Sequence, residues 1–452
     1  MEVLLHQTAL RWRRLSSGTT NRRIFGATIV VGGATAFVSL TLVIRDLFLA
    51  AIYGRSDVLD AFLIAGALPL LIVSVVAGSF APAVIPTFIR LREHEGQAAA
   101  QQLYSGALSL GIGLLIAISV LLALASSIVL PLLGSRFEPE KLALTQQLFF
   151  LLLPTTFLAG LAIMWSAALN AGERFALAAL TPALVPVAAI FGLLLGRSWG
   201  IHALIFGMYV GYVLQLCFLG RGLARQNVSL WPHWQGLSPA LRQSVAHYVP
   251  LMVSVTLTGG ALIVSQAVAA SLDPGSVAAL TYGSKVVQLV IGLGTVALAT
   301  AVLPFFSKAI AMGNWDQLRQ TVQQYAWLIL LATISTTVAI VVFSEPIVAV
   351  LFQRGAFTGA DTALVARVQA FYALQIPFYV LSALCGSLLA SLGANREILR
   401  ITAISFLLNA VFALVLVGVM GVAGIALATA LAQLVAFCLF AITLRKTSVF
   451  AH

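Results

Sequence analysis

Long apolar runs constrain this chain more than any other feature, because segment after segment carries roughly 20 or more residues with at most an isolated charge. A helix rises about 1.5 Å per residue, so a run of that length crosses a hydrocarbon core of roughly 30 Å. Twelve such spans are read, at about 25–50, 59–88, 104–132, 145–169, 176–196, 201–220, 244–271, 277–306, 320–343, 362–391, 398–419 and 422–444. Alternation with period two is absent, so helices rather than a closed barrel must satisfy the backbone in lipid. With 61% hydrophobic residues, 9% charged residues and a mean hydropathy of +1.04, the chain lies far outside the balance of a soluble domain. The expected fold class is an all-α integral membrane protein.

The net charge of +11 follows from topology and calls for no nucleic acid. With the N-terminus in the cytoplasm, the cytoplasmic segments, counted with Arg400 at the cytoplasmic end of span 11, hold 17 of the 25 Lys and Arg residues, the external ones 5 and the span interiors 3. That bias is the positive-inside rule, and it puts both termini in the cytoplasm. Cys217, Cys385 and Cys438 fall inside apolar segments, where a thiol acts as a small hydrophobe, so neither a disulfide framework nor a metal site is expected. The stretch RWRRLSSGTTNRR precedes an apolar run longer than a signal-peptide core, so the first span is expected to be retained as an anchor.

An internal repeat organises the spans. APAVIPTFIR (81–90) returns as ATAVLPFFSK (299–308), and SAALNAGERF after span 4 is echoed by SLLASLGANRE after span 10, with Gly172 and Gly393 equivalent. Spans 1–6 thus lie over spans 7–12. Six spans per half make the repeats parallel about an axis along the membrane normal, an architecture that encloses a central cavity and supports alternating access. The expected organisation is a basic tail (1–24), a first half (25–220), a cytoplasmic linker (221–243) with interfacial tryptophans, a second half (244–445) and a short tail (446–452).

Spans 2 and 8 are punctuated by Pro69, Gly78, Pro82 and Pro86 and by Gly292, Gly294 and Pro304, so bends that serve as gates are expected in both. Two buried cations are candidate ligands. Arg45, in LTLVIRDLFLAAIYG, reaches a cavity, snorkels to the interface, or pairs with Asp46 or Asp60. Lys285, in TYGSKVVQLVIG, has no acid within its own span and either snorkels or binds an anion. Together the two could hold a diphosphate, one from each half. Arg367 is expected at the external interface. His247, Gln266, Gln288, Gln375, Asn409 and Gln433 each suit interhelical bonding and together suit a wet lining. Only 14 acidic residues are present, without a D-x-D pair, a P-loop or metal spacing, so neither an enzyme nor a cofactor is expected.

The stretch RDLFLAAIYGRSDVLDAFLIAGALPLLIVSVVAGSFAPAVIPTFIRL resembles the start of the MurJ (MviN) family, whose pattern reads approximately RD…A…G…TDAF…LP…G.F..AFVP. LTYGSKVVQLVIGLGTVALATAVLPFFSK and LFQRGAFTGADTALVARVQAFYALQIPFYVL extend the resemblance over about residues 30–445. It implies the multidrug/oligosaccharidyl-lipid/polysaccharide exporter fold, a bacterial cytoplasmic membrane, and carriage of a polyprenyl-diphosphate-linked saccharide. Arg45 matches the arginine of the family's RD motif and Asp60 the aspartate of TDAF; Asp60 is expected to orient or release Arg45. Family arginines fall on Ser39, Val73 and Lys285 here, and the family's usual last two spans find no match in this chain. These departures rank an exopolysaccharide repeat unit ahead of lipid II as the expected cargo, with polysaccharide polymerases or glycosyltransferases as partners. A multidrug-type cation antiporter on the same fold is the further alternative, and a non-transporting scaffold for polysaccharide synthases is the third.

Overall fold

The computed structural model describes residues 20–226, 228, 231–234, 236–301, 306 and 315–446, and among these no strand occurs. The first half of the chain supplies α1 (Thr20–Tyr53), α2 (Asp57–Val76), α3 (Phe80–His94), α4 (Gln97–Leu133), α5 (Pro139–Ala171), α6 (Phe175–Leu180), α7 (Leu184–Leu195) and α8 (Ile201–Ala224). The second half supplies α9 (Pro239–Ala270), α10 (Ser276–Ala301), α11 (Trp315–Val342), α12 (Ser344–Phe352), α13 (Gly359–Ala373), α14 (Ile376–Ser391), α15 (Asn395–Met420) and α16 (Val422–Arg445). Twelve stretches of these helices are long and apolar enough to cross a membrane, each overlapping one span read from the sequence. The protein is an all-α membrane protein.

The repeat extends further than the two sequence echoes. Gly54, Gly134, Gly172 and Gly200 each have a glycine 221 positions later, at Gly275, Gly355, Gly393 and Gly421. Gly200 (φ 56°, ψ −131°) and Gly421 (φ 59°, ψ −138°) adopt nearly one backbone conformation, and each opens the last span of its half. That region is closed to other residues, so the chain must use glycine there twice. Span 4 and span 10 also end alike: the N–H of Arg174 donates to the Leu169 carbonyl at 3.0 Å, and that of Ala394 to the Leu389 carbonyl at 2.9 Å.

The chain packs as two compact units. One comprises Met1–Asp46, Ile72–Val120 and Leu153–Leu251; the other comprises Leu47–Leu71, Leu121–Leu152 and Met252–His452. The second unit therefore takes in the α1–α2 and α4–α5 turns together with the last six spans. Its core includes Leu59, Ile64, Val277, Ala278, Val365 and Val368, all buried. Over that core, Tyr282, Phe352 and Phe357 form an aromatic cluster with ring centroids 5.1–5.9 Å apart.

Span 2 is broken in the first unit, between α2 and α3. The Phe80 N–H donates to the Ala77 carbonyl at 3.2 Å instead of reaching Val76. The orphaned Val76 carbonyl accepts from the buried Tyr248 hydroxyl on α9, so the break is satisfied rather than merely tolerated. Gly78 sits at the break because a Cβ there would collide with the Ser74 carbonyl. Pro82 falls in the first turn of α3, where a missing N–H costs nothing. Pro69 and Pro86 lie within α2 and α3. Pro86 is exposed, on the same face of α3 as Pro82.

Within span 8, the two glycines do not mark the expected discontinuity. Helix α10 is helical without interruption through Gly292 and Gly294 to Ala301. Glycine keeps its N–H, and neither residue takes a positive φ, so the helical ladder has no reason to stop there. Pro304 lies outside the described residues. Among the described residues two further spans are interrupted: span 5, where the 3-10 turn Thr181–Ala183 separates α6 from α7, and span 10, where α13 gives way to α14 at Leu374–Gln375 and Pro377 falls in the first turn of α14.

Candidate functional site

Four turns meet at one end of the second unit: those after α1, α4, α9 and α12. They are repeat equivalents in two pairs, marked by Gly54 with Gly275 and Gly134 with Gly355. Asp60, in the first turn of α2, joins them. Its side chain is buried, with 1% of the residue exposed. The Gly275 N–H donates to Oδ2 at 2.7 Å and the Ala278 N–H to Oδ1 at 2.9 Å. Helix α10 begins at Ser276 with no acid in its first turn, and the residue in its cap position is a glycine with no side chain to offer. Asp60 supplies the missing cap from another span, placing a carboxylate on the positive end of the helix dipole.

Lys141, near the start of α5, donates from Nζ to Asp60 Oδ2 at 3.1 Å and to Asp57 Oδ1 at 2.5 Å. The ammonium lies 4.1 Å from the ring centroid of Phe137. On the opposite side, Arg55 donates from Nε to the Gly275 carbonyl at 3.2 Å and from Nη1 to Asp361 Oδ1 at 3.1 Å. Asp361 Oδ2 accepts from both the backbone and the hydroxyl of Thr358, in the capping box of α13. One carboxylate thus caps its own helix and holds the arginine of another turn.

Backbone contact closes the arrangement. The Ala356 N–H donates to the Ala51 carbonyl at 2.8 Å. Gly355, at φ 59°, lies so close to that carbonyl that any Cβ would overlap it. Chain segments roughly 300 residues apart are held by a main-chain hydrogen bond and by a partly buried, charge-assisted side-chain bond.

The remaining predicted residues lie elsewhere. Arg45, late in α1, donates from Nε and Nη2 to Oδ1 of the buried Asp46, at 3.1 and 2.8 Å, with 23% of its side chain exposed. Of its two expected partners, Asp46 is the one that Arg45 meets, while Asp60 is taken up by Lys141 and the start of α10. Lys285, Gln288 and Gly292 lie along one face of α10 at helical spacing. Lys285 is half-buried, Gln288 is exposed and bonds to Ser284 at 3.0 Å, and the space beside Gly292 is open. Arg45 and Lys285 belong to different compact units.

Of the expected polar lining, Asn409 is buried as interhelical bonding instead. It accepts from Ser265 on α9 at 3.3 Å and donates to Thr429 on α16 at 3.2 Å. Gln266 and Gln375 are also buried. Among the described residues, no group of three His, Cys, Asp or Glu side chains is placed to hold a metal ion.

Twelve spans in two repeats, with a polar latch at one end, define a membrane transporter fold, and solved structures share it. A structure described as "Lipid II flippase MurJ, inward closed conformation" aligns with a TM-score of 0.79 at 22% identity, over 92% of this chain and 88% of that one. An inward-facing MATE family multidrug transporter of the MOP superfamily aligns with a TM-score of 0.77 at 14% identity, over 93% and 99%. The family model described as lipid II flippase MurJ matches residues 49–452, so the chain belongs to the MurJ family.

Relatives agree. A probable lipid II flippase MurJ of Rhizobium tropici is 27% identical over 418 residues, covering 89% of this chain and 78% of that protein. The lipid II flippase MurJ of Burkholderia cenocepacia is 26% identical over 363 residues, covering 78% and 70%. The flippases among these relatives and structures are described as acting on lipid II.

Proposed function

We propose that this chain moves lipid II, a polyprenyl-diphosphate-linked saccharide, from the cytoplasmic to the external leaflet by alternating access, with the Asp60 latch as its external gate. The observation that carries the gating reading is the Asp60 carboxylate capping α10 from span 2, since such a bond exists only while those two spans stay together. The positive-inside bias supports a Gly54 end outside and both termini in the cytoplasm. Membership of the MurJ family supports the cargo.

Arg45 and Lys285 are the diphosphate ligands in this reading. Asp46 engages Arg45 through a single oxygen, which holds the guanidinium in place and leaves further N–H groups for a phosphate. Lys285, half-buried on α10, supplies the second cation of this reading. The break at Gly78 lets α3 move without α2. Closing the latch gains about 1.5–3 kcal/mol for each charge-assisted bond, which is enough to shift a two-state gate by one to two orders of magnitude.

Transport of fluorescent lipid II in reconstituted vesicles tests this. Arg45→Ala and Lys285→Ala are each expected to lower transport to about a tenth or less, as loss of a charged phosphate contact does. Unchanged transport in both variants overturns the diphosphate site. Depletion of the protein in cells separates the cargoes: lipid II accumulates on this reading, and a lipid-linked exopolysaccharide unit accumulates on the other.

A further inference from the structure

Asp60 presents a buried carboxylate to two N–H groups, and something must keep it charged. We infer that Lys141 is a positioning residue for transport: it holds Asp60 ionised and aimed at the start of α10, and so ties span 4 to the gate. This rests on the reading of the Asp60 contact as a gate.

The geometry is specific. Lys141 has only 11% of its side chain exposed, with the Phe137 ring beneath the ammonium and two carboxylates above it. The carboxylates are unlike: Asp57 has 55% of its side chain exposed and Asp60 has 2%. A carboxylate that close to full burial is costly to keep charged, so the nearby cation matters most to Asp60. Both Lys141 and the Gly275 N–H share Oδ2, whereas Ala278 takes Oδ1. The lysine therefore fixes the rotation of the carboxylate that lets both oxygens serve as the cap.

When the gate opens, the two N–H groups leave and water reaches Asp60. Asp57 already holds the ammonium, so Lys141 loses no partner in that step. The lysine thus favours the closed gate without acquiring an unpaired charge when it opens. Neither role requires contact with the cargo.

The test uses the full-length protein in membranes, with Cys217, Cys385 and Cys438 replaced and one reporter, Ser276→Cys, placed at the start of α10. Ser276 is 3% exposed, so an external membrane-impermeant maleimide labels it slowly while the latch is closed. Lys141→Met is expected to raise the labelling rate about tenfold, Lys141→Arg to return it close to the reporter background, and Asp57→Asn not to raise it. In transport, Lys141→Met should change the maximal rate and leave the half-saturating lipid II concentration unchanged. Where Lys141→Met does not accumulate in the membrane, Lys141→Gln is scored in its place.

If Asp60→Asn raises labelling and Lys141→Met does not, the positioning role is wrong while the gate stands. If neither raises it, the gate reading fails as well. If Asp57→Asn matches Lys141→Met, the lysine acts through Asp57, and the proposal is overturned.

Discussion

At the scale of single residues, Gly355 shows how little room the latch leaves. Its φ of 59° alone costs an L-residue about 1–2 kcal/mol, and a Cβ would additionally overlap the Ala51 carbonyl that accepts from Ala356. Gly355→Ala should therefore open the latch, raising external maleimide labelling at Ser276→Cys several-fold with little loss of protein from the membrane. Labelling equal to the reporter background would show that this backbone contact does not hold the gate. The sequence carried part of this site in plain view. Asp60 stood out as an acid opening an apolar span, and Arg45 and Lys285 as cations inside spans. Lys141 and Asp361 did not stand out, because a charge in a turn between spans is ordinary by composition. What distinguishes them is contact across 81 and 306 residues of chain, which local patterning does not encode.

At the scale of helices, apolar length read the twelve spans well, because the bilayer leaves the backbone so few options. Breaks were harder. Gly78 combined with Pro82 did mark one, since that sequence both demands a Cβ-free position and supplies a proline that starts the next helix without loss. Gly292 and Gly294 marked none, because glycine permits a bend and does not enforce it. The span 10 break had its signal in Pro377, which has no N–H to continue the ladder of α13 and falls in the first turn of α14, where none is needed. Tyr248 had no signal at all: its partner is a main-chain carbonyl freed by a break 172 residues away. Tyr248→Phe leaves that buried carbonyl unpaired, at about 1–3 kcal/mol. The variant is expected to lower the thermal midpoint of the purified protein by several degrees, seen by tryptophan fluorescence in detergent. An unchanged midpoint would mean that the break is satisfied in some other way.

At the scale of the whole chain, the latch explains why a repeat is useful. The Gly54 turn reaches both its repeat equivalent at Gly275 and the turn at Gly355, so a single kind of turn furnishes both sides of the proposed closure. The chemistry within it is nonetheless unequal. Lys141 in the first half faces acids of its own half, whereas Asp361 in the second half receives an arginine from the first. On the gating proposed for this cluster, the Arg55–Asp361 connection breaks and re-forms in every transport cycle. Replacing that pair by Arg55→Cys and Asp361→Cys, in the background without native cysteines, lets a short cleavable bis-thiol linker hold the two turns together. Lipid II transport should fall to the level of empty vesicles when the linker is in place and return to that of the unlinked double variant when it is cleaved. The comparison with the unlinked double variant removes the cost of losing the ion pair itself. If linked protein transports at the unlinked rate, these turns do not separate during the cycle, and the path of the cargo must open elsewhere.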